Sequence, residues 1–167
     1  MAIGIHIITV GGTIDKVYAP AGAVHGNSDY DVAAPAVIDI LARVNPRLEV
    51  EVTPLLSKDS LDMRDLDRET LVTAVKASSA QQIVITHGTD TMIKTGQALT
   101  AITGKTLVLT GAMRPALFRD SDADFNLGAA VTAAQIMPEG VYLCMNGRIF
   151  DIDSVSKDHL KQQFQDS

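Results

Sequence analysis

Tryptophan is absent from this 167-residue chain, which carries only three tyrosines and four phenylalanines. With 46 % of its residues hydrophobic, the core must be aliphatic, which suits parallel strands covered by helices. A single cysteine, Cys144, excludes an intrachain disulfide framework. Its place inside Val141-Tyr142-Leu143-Cys144-Met145 marks a buried, inert thiol. Positive charge is also scarce: a net charge of −6 and a pI near 5.0 argue against nucleic acid or an anionic membrane as partner. No hydrophobic run approaches the roughly 20 residues of a membrane span. Met1 to His6 has neither the basic leader nor the apolar stretch of a signal peptide, so a cytoplasmic setting is expected. The histidines, His6, His25, His87 and His159, lack the pairing or spacing of zinc ligands, and no metal is expected. The length fits one domain, residues 1–167, with no second domain and no need of a disulfide or metal staple.

What is present is an alternation of short apolar runs and helical periodicities. Ile5 to Val10 reads as a strand ending in Gly11-Gly12-Thr13-Ile14-Asp15, and Tyr18 to Asp31 as a long loop. Val37, Ile38, Leu41 and Ala42 recur at helical spacing, stopping before Pro46. Leu48, Val50 and Val52 alternate with Glu49 and Glu51, as an outer strand requires, and Lys58 to Met63 forms a polar loop. Asp65 and Asp67 are candidate caps for a helix carrying Leu71, Ala74, Val75 and Ser78. The unbroken run Ile83-Val84-Ile85 suits a central strand buried on both faces. A helix bearing Met92, Thr95, Leu99 and Ile102 follows, closed by Gly104. Thr106 to Thr110 is a further strand, and Leu127, Ala130, Val131 and Ala134 mark a helix. Val141 to Met145 turns at Asn146-Gly147 into a return strand ending at Phe150. The polar remainder offers Leu160 and Phe164 as a narrow apolar edge. This order predicts an α/β fold, an open and mostly parallel sheet with helices on both faces.

In such a sheet the loops after the strands share one edge, where ligands bind. Four of them are rich in small or hydroxyl residues: Gly11 to Asp15, Lys58 to Asp62, His87 to Thr91 and Gly111 to Arg114. Asp90 or Thr91 could simply cap the next helix, but five consecutive polar or glycine positions exceed what a cap needs. Phosphate binding is a poor fit, because Leu99 stands where a Walker glycine should precede Gly104-Lys105-Thr106, and no Gly-x-Gly-x-x-Gly occurs. Thr13 follows two glycines whose backbone N–H groups would lie bare beside its hydroxyl, an arrangement able to hold an oxyanion. By residue type alone, Thr13 is as well explained as a turn residue. His87 reads as a hydrogen-bonded structural residue, and Lys157 as a solvated surface lysine.

Thr9-Val10-Gly11-Gly12-Thr13-Ile14 and His87-Gly88-Thr89-Asp90-Thr91-Met92 resemble the two signatures of the bacterial-type L-asparaginases (asparaginase/glutaminase family). The similarity runs on through Thr110 to Pro115, Asp124 to Leu127 and Met145-Asn146. The resemblance implies hydrolysis of L-asparagine, and to a lesser degree glutamine, without a cofactor, on a Rossmann-like domain. It implies Thr13 as the nucleophile and Thr89 as a second catalytic threonine, supported by Lys157 and Asp90. Tyr18 is implied as the loop tyrosine, with Tyr30 kept open. Gly12, Asp59, Ser60, Gly88 and Ala112 are implied around the substrate, with Asp90 receiving its α-amino group. Family members assemble as dimers or tetramers, so a homo-oligomer is expected. Most members carry a second domain that lends an acidic residue to a neighbouring site, so this chain looks like a short form. Two rivals remain: a related amidase, such as the amidase subunit of a transfer-RNA amidotransferase, and a silent binder of aspartate or asparagine.

Overall fold

The computed structural model describes residues 4–18 and 30–167. In chain order the elements are β1 (Gly4–Gly11), β2 (Lys16–Tyr18), β3 (Tyr30–Val32), α1 (Ala36–Val44), β4 (Glu49–Lys58), α2 (Asp65–Ala77) and β5 (Gln82–Thr86). They continue with α3 (Met92–Gln97), β6 (Thr106–Thr110), α4 (Ala123–Ile136), β7 (Gly140–Met145), β8 (Arg148–Asp151), β9 (Val155–Asp158) and β10 (Gln163–Asp166). Single turns of 3₁₀ helix, Thr13–Asp15, Ser60–Asp62 and Ile152–Ser154, follow β1, β4 and β8.

Six strands form one sheet in the order β4-β1-β5-β6-β7-β8, parallel except for β8. Ile8, Ile83, Ile85, Leu107, Leu109 and Leu143 point to one face, where Leu71 and Val75 of α2 and Met92 of α3 cover them. Ile5, Ile7, Val84, Val108 and Cys144 point to the other, against Val37 and Ile40 of α1 and the alanine-rich side of α4. Continuous aliphatic runs buried on both faces are what the lack of aromatics demanded, and the Cys144 thiol lies among them. Burial pushes that thiol up to about 11, away from reactivity.

The strand order reverses between β1 and β5. From β1 the chain goes to β4 on one side; from β5 it goes to β6 on the other, so the loops after these two strands part and leave a crevice. The unit β6-α4-β7 advances in the same direction as β5-α3-β6 but lays its helix on the opposite face. It is therefore opposite in hand to the other three crossovers, and is the left-handed one given that about 98 % of such units are right-handed. This crossover brings the loop after β6 to the α1 side, where Ala116 N–H donates to Ile14 C=O at 3.1 Å.

Several sequence expectations change. The helix expected from Met92 to Gly104 ends at Gln97. Beyond it Leu99, Thr100 and Ile102 donate to Gly96, Gln97 and Leu99, so the chain tightens into three-residue turns. Asp65 is a first-turn residue of α2 and not its cap; Asp67 reaches back to Arg64 N–H at 2.8 Å. Neither Asp90 nor Thr91 caps α3 through its side chain. The tail is a β9-β10 hairpin in which Phe164 is buried but Leu160 is 97 % exposed at the bend. The long loop read over Tyr18 to Asp31 falls mostly on residues 19–29, outside the described residues. His25 and the Tyr30 side chain also lie outside them. No described helix is long and apolar enough to cross a membrane.

Candidate functional site

The crevice between β1 and β5 is closed at its base by two glycines in contact. Gly12 has φ +94°, and a Cβ built on it would overlap the Gly88 backbone. A Cβ on Gly88 would lie 2.6 Å from Ser60 Cβ. Only side-chain-free backbone lets the loops after β1, β4 and β5 meet here. Thr13 and Thr89 are the residues that follow these two glycines, so the meeting sets both threonines at the mouth of the crevice. Gly12 N–H donates to Lys58 C=O at 2.9 Å. The sequence expectation of bare amides on both glycines therefore fails at Gly12, whose amide ties down the loop after β4. The Thr13 hydroxyl, half-buried, has no hydrogen bond among the described residues.

Lys157 approaches from β9, and its ammonium lies 2.9 Å from Thr89 Oγ1 and 2.6 Å from Asp90 Oδ1. The side chain is only 4 % exposed, whereas that of Asp90 is 39 % exposed. The solvated lysine of the residue-by-residue reading is a buried cation aimed at the loop after β5. The hairpin turn explains how a residue so near the polar tail arrives there. Asn146 and Gly147 have φ +52° and +80°, the conformation a two-residue turn requires, and β8 runs back along β7. Ile152 then packs where a Cβ on Gly96 of α3 would stand, while Val155 and Phe164 enter the core on the α2–α3 face. The Phe164 ring centroid lies 6.0 Å from the Lys157 ammonium.

On the opposite wall, Asp59 Oδ1 accepts from Leu61 N–H at 3.0 Å and Oδ2 pairs with Lys16 at 2.6 Å. Burial alone would push the Asp59 carboxyl up; the Lys16 ammonium and the Leu61 and Ser60 amides outweigh it and hold it below the ordinary carboxylate range. Lys16 was not singled out by the sequence, where nothing but its closeness to Thr13 could have marked it. Beyond Asp59 a cleft of about 880 Å³ opens between Lys16, Asp31, Asp62 and Arg64. Ser60 C=O accepts from the Thr91 hydroxyl at 2.7 Å, joining this wall to the loop after β5.

His87 is buried, with Nδ1 2.7 Å from Gly88 C=O and Nε2 2.8 Å from Thr95 Oγ1, a structural histidine as the sequence suggested. Burial, reinforced by the Arg68 guanidinium, lowers it to about 4 against the Gly88 carbonyl. Its own N–H donates to Thr110 C=O at 2.9 Å, which seats the loop after β6. Ala112 is buried in that loop. Thus Gly12, Ser60, Gly88, Thr89, Asp90 and Lys157 are drawn together, with Asp59 on the facing wall. Tyr18 sits apart, 60 % exposed at the end of β2, its ring edge-on to Phe118 at 5.9 Å. Its backbone pairs with that of Tyr30 across the β2-β3 ribbon.

The family profile described as "Asparaginase, N-terminal" matches residues 4–164. The chain belongs to the asparaginase family. It is 35 % identical over 164 residues to the glutaminase-asparaginase of Acinetobacter glutaminasificans, covering 90 % of this chain and 48 % of that protein. It is also 35 % identical over 153 residues to a subunit of the glutamyl-tRNA(Gln) amidotransferase of Methanococcus vannielii, covering 88 % and 35 %. The thermostable L-asparaginase of Thermococcus kodakarensis superposes with a TM-score of 0.82 at 31 % identity, over 98 % of this chain and 51 % of that one. The chain therefore spans about half, or less, of the length of these asparaginase-family relatives.

Proposed function

We propose that this asparaginase-family chain is an amidohydrolase that converts L-asparagine to L-aspartate and ammonia through an acyl-enzyme on Thr13. The observation that carries the reading is Lys157, a buried ammonium bonded at once to the Thr89 hydroxyl and the Asp90 carboxylate. Asp90 offsets the cost of burying the ammonium, and the pair places a charged donor on a hydroxyl at the carboxyl edge of the sheet, where ligands bind. In the proposed reaction Thr13 Oγ attacks the side-chain amide carbon. The C–N bond breaks, the departing nitrogen takes up the proton given up by the threonine, and ammonia leaves. Water then attacks the ester, restoring the Thr13 hydroxyl and releasing the carboxylate. Thr89, Lys157 and Asp90 form the group through which protons move in and out of the crevice. Asp90 and Asp59 meet the substrate's α-ammonium, Ser60 and Gly88 line its backbone end, and Ala112 lies near the amide. Tyr18 closes the nucleophile side. The single, buried Cys144 thiol is compatible with a cytoplasmic setting, and homo-oligomerisation belongs to the same proposal.

Ammonia release from asparagine and glutamine tests it. Lys157→Met should cost about 10²- to 10⁴-fold in turnover, and Thr13→Ala should fall to background. Full activity in Thr13→Ala would remove that residue as nucleophile. A second reading, a partner-dependent amidase, is favoured by the equal identity to the Methanococcus amidotransferase subunit and by the open cleft beyond Asp59. Turnover that appears only when a partner protein is added would select it.

A further inference from the structure

Arg68 is an oddity of α2. It falls on the helix's buried side, in step with Leu71 and Val75, and is only 4 % exposed. Its Nε donates to Thr95 Oγ1 at 3.2 Å, and one terminal nitrogen reaches Met63 C=O at 3.3 Å and Asp65 Oδ1 at 3.1 Å. A guanidinium can only donate. Gly88 C=O can only accept, so the imidazole proton sits on His87 Nδ1 and is donated to it. That leaves Nε2 as an acceptor for the Thr95 hydroxyl proton, while Thr95 Oγ1 accepts from Arg68. Every member of this chain is buried, and its direction is fixed at both ends, by a carbonyl that only accepts and a guanidinium that only donates. The Gly88 carbonyl belongs to the peptide plane that carries Thr89 N–H, so its hydrogen bond sets the angle at which Thr89 enters the crevice. At the other end, Met63 closes the 3₁₀ turn that follows Asp59, donating to Ser60 C=O at 3.3 Å.

We infer that Arg68 is a positioning residue: through Thr95 and the Nδ1–H tautomer of His87 it fixes the Gly88–Thr89 peptide, and through Met63 it ties that peptide to the substrate loop after β4. Thr89, Lys157 and Asp90 keep their mutual bonds without it, but the loop that carries Thr89 is free to tilt. A misaligned reacting group lowers turnover more than ground-state binding. The kinetic side of this inference rests on the amidohydrolase reading above; the tautomer side does not.

The test uses Arg68→Met, Thr95→Val, their combination and Thr95→Ser, each first checked for folding by circular dichroism and urea titration. In ammonia release, Arg68→Met and Thr95→Val should each lower kcat roughly 10- to 100-fold with KM changed far less. The double variant should be no worse than the poorer single one, because both cut the same chain. Thr95→Ser, which restores the hydroxyl, should recover most of the rate. Multiplying losses, or losses confined to KM, would overturn the inference in favour of simple packing. Nitrogen-15 imidazole spectra give a readout that needs no turnover. His87 should carry its proton on Nδ1 in the wild type, and its ring-nitrogen shifts should move in Arg68→Met and Thr95→Val as the bond to the Gly88 carbonyl loosens. A wild-type proton on Nε2, or spectra unmoved in both variants, would overturn it. Should no substrate be turned over, the hydrolase reading fails and the spectra alone decide the relay.

Discussion

Behind β5, His87 and Thr89 are buried, and their side chains are bonded to Gly88, Thr95 and Lys157. Beyond β1 the chain leaves the core once Asp15 is passed; Val17 and Tyr18 are exposed, and the Thr13 hydroxyl has no bond among the described residues. The two loops touch at Gly12 and Gly88 yet are held in different ways, one by a buried side-chain network around its threonine, the other by bonds at Gly12, Ile14, Asp15 and Lys16 that leave its threonine hydroxyl unbonded. An amidohydrolase has a use for this division. The group that handles protons gains from a fixed, water-poor setting, while the side that admits substrate must open to the solvent.

The harshest way to break the comparison is to separate the two loops. Gly12→Ala puts a methyl group into the Gly88 backbone and places an alanine at φ +94°. Backbone strain alone costs about 1–3 kcal/mol; the Gly12 side cannot yield without straining its bond to Lys58 C=O, nor the Gly88 side without straining the bond between its carbonyl and His87. Urea titration should show a loss at the upper end of that range or beyond, with insoluble protein as the extreme outcome. Wild-type stability in Gly12→Ala would mean that the loops do not meet as described.

Acid titration sharpens the contrast, because the two loops respond to pH with opposite signs. Burial pushes the Asp15 carboxyl up to about 6, against the pull of the Ala36 N–H bonded to it at 2.8 Å. Ionised Asp15 therefore costs stability, and the cost disappears as pH falls from about 6 towards 4. His87, lowered to about 4, does the reverse: the unfolded chain takes up its proton near 6.5, so the fold loses stability over the same interval. Each effect has a ceiling of about 3 kcal/mol, so they nearly cancel in the wild type. Asp15→Asn keeps an oxygen for Ala36 but removes the acid. It should be more stable than wild type at pH 7 by up to about 3 kcal/mol and lose that advantage by pH 4. Parallel stability profiles for the two proteins in urea at pH 4, 5.5 and 7 would sink this account.

A gentler cut falls on the β5 side. Gly88→Ala meets the Ser60 side chain, with Oγ 2.7 Å from the new methyl carbon, whereas Gly12→Ala meets the backbone of the loop after β5. Overpacking of this kind costs typically about 1–3 kcal/mol. Ser60→Gly should return a large part of it in the double variant, whereas no side-chain deletion can relieve Gly12→Ala. An additive double variant, measured by thermal unfolding, would show that the clash lies elsewhere.

How much of the molecule is legible in its sequence depends on whether a residue's neighbours are local. The strands are readable because Ile83-Val84-Ile85 and Thr106 to Thr110 are aliphatic runs with polar ends, and the β7-β8 turn because Asn146-Gly147 fits one conformation. The end of α3 is not, because helical spacing continues to Ile102 while the hydrogen bonds switch register after Gln97. Lys157 owes its place among the expected site residues to a resemblance; nothing beside it in sequence announces that β9 folds back to Thr89. Arg68 does carry a local signal, since its spacing from Leu71 and Val75 puts a charge on the buried side of a helix. Lys16 has none, for its partner Asp59 arrives on another strand.

The smallest expected effect concerns the exposed end of the β2-β3 ribbon, where two tyrosines lie in backbone register and only one closes the site in the proposed reaction. Tyr18 is 60 % exposed with its ring edge-on to Phe118, a pairing worth about 0.5–1.5 kcal/mol beyond the area it covers, and Tyr18→Ala should cost at least that much stability. Tyr18→Phe keeps the ring and with it the edge-on contact. Turnover separates the two residues where stability does not: removing the Tyr18 hydroxyl should slow ammonia release, while Tyr30→Phe should leave it near the wild-type rate. The reverse result would move the closing role to Tyr30 and leave Tyr18 as a hydrophobic prop for the loop after β6. Because Thr13 and Tyr18 are joined by only a 3₁₀ turn and one short strand, an effect confined to Tyr18 would also mean that nucleophile and closing group travel on the same arm.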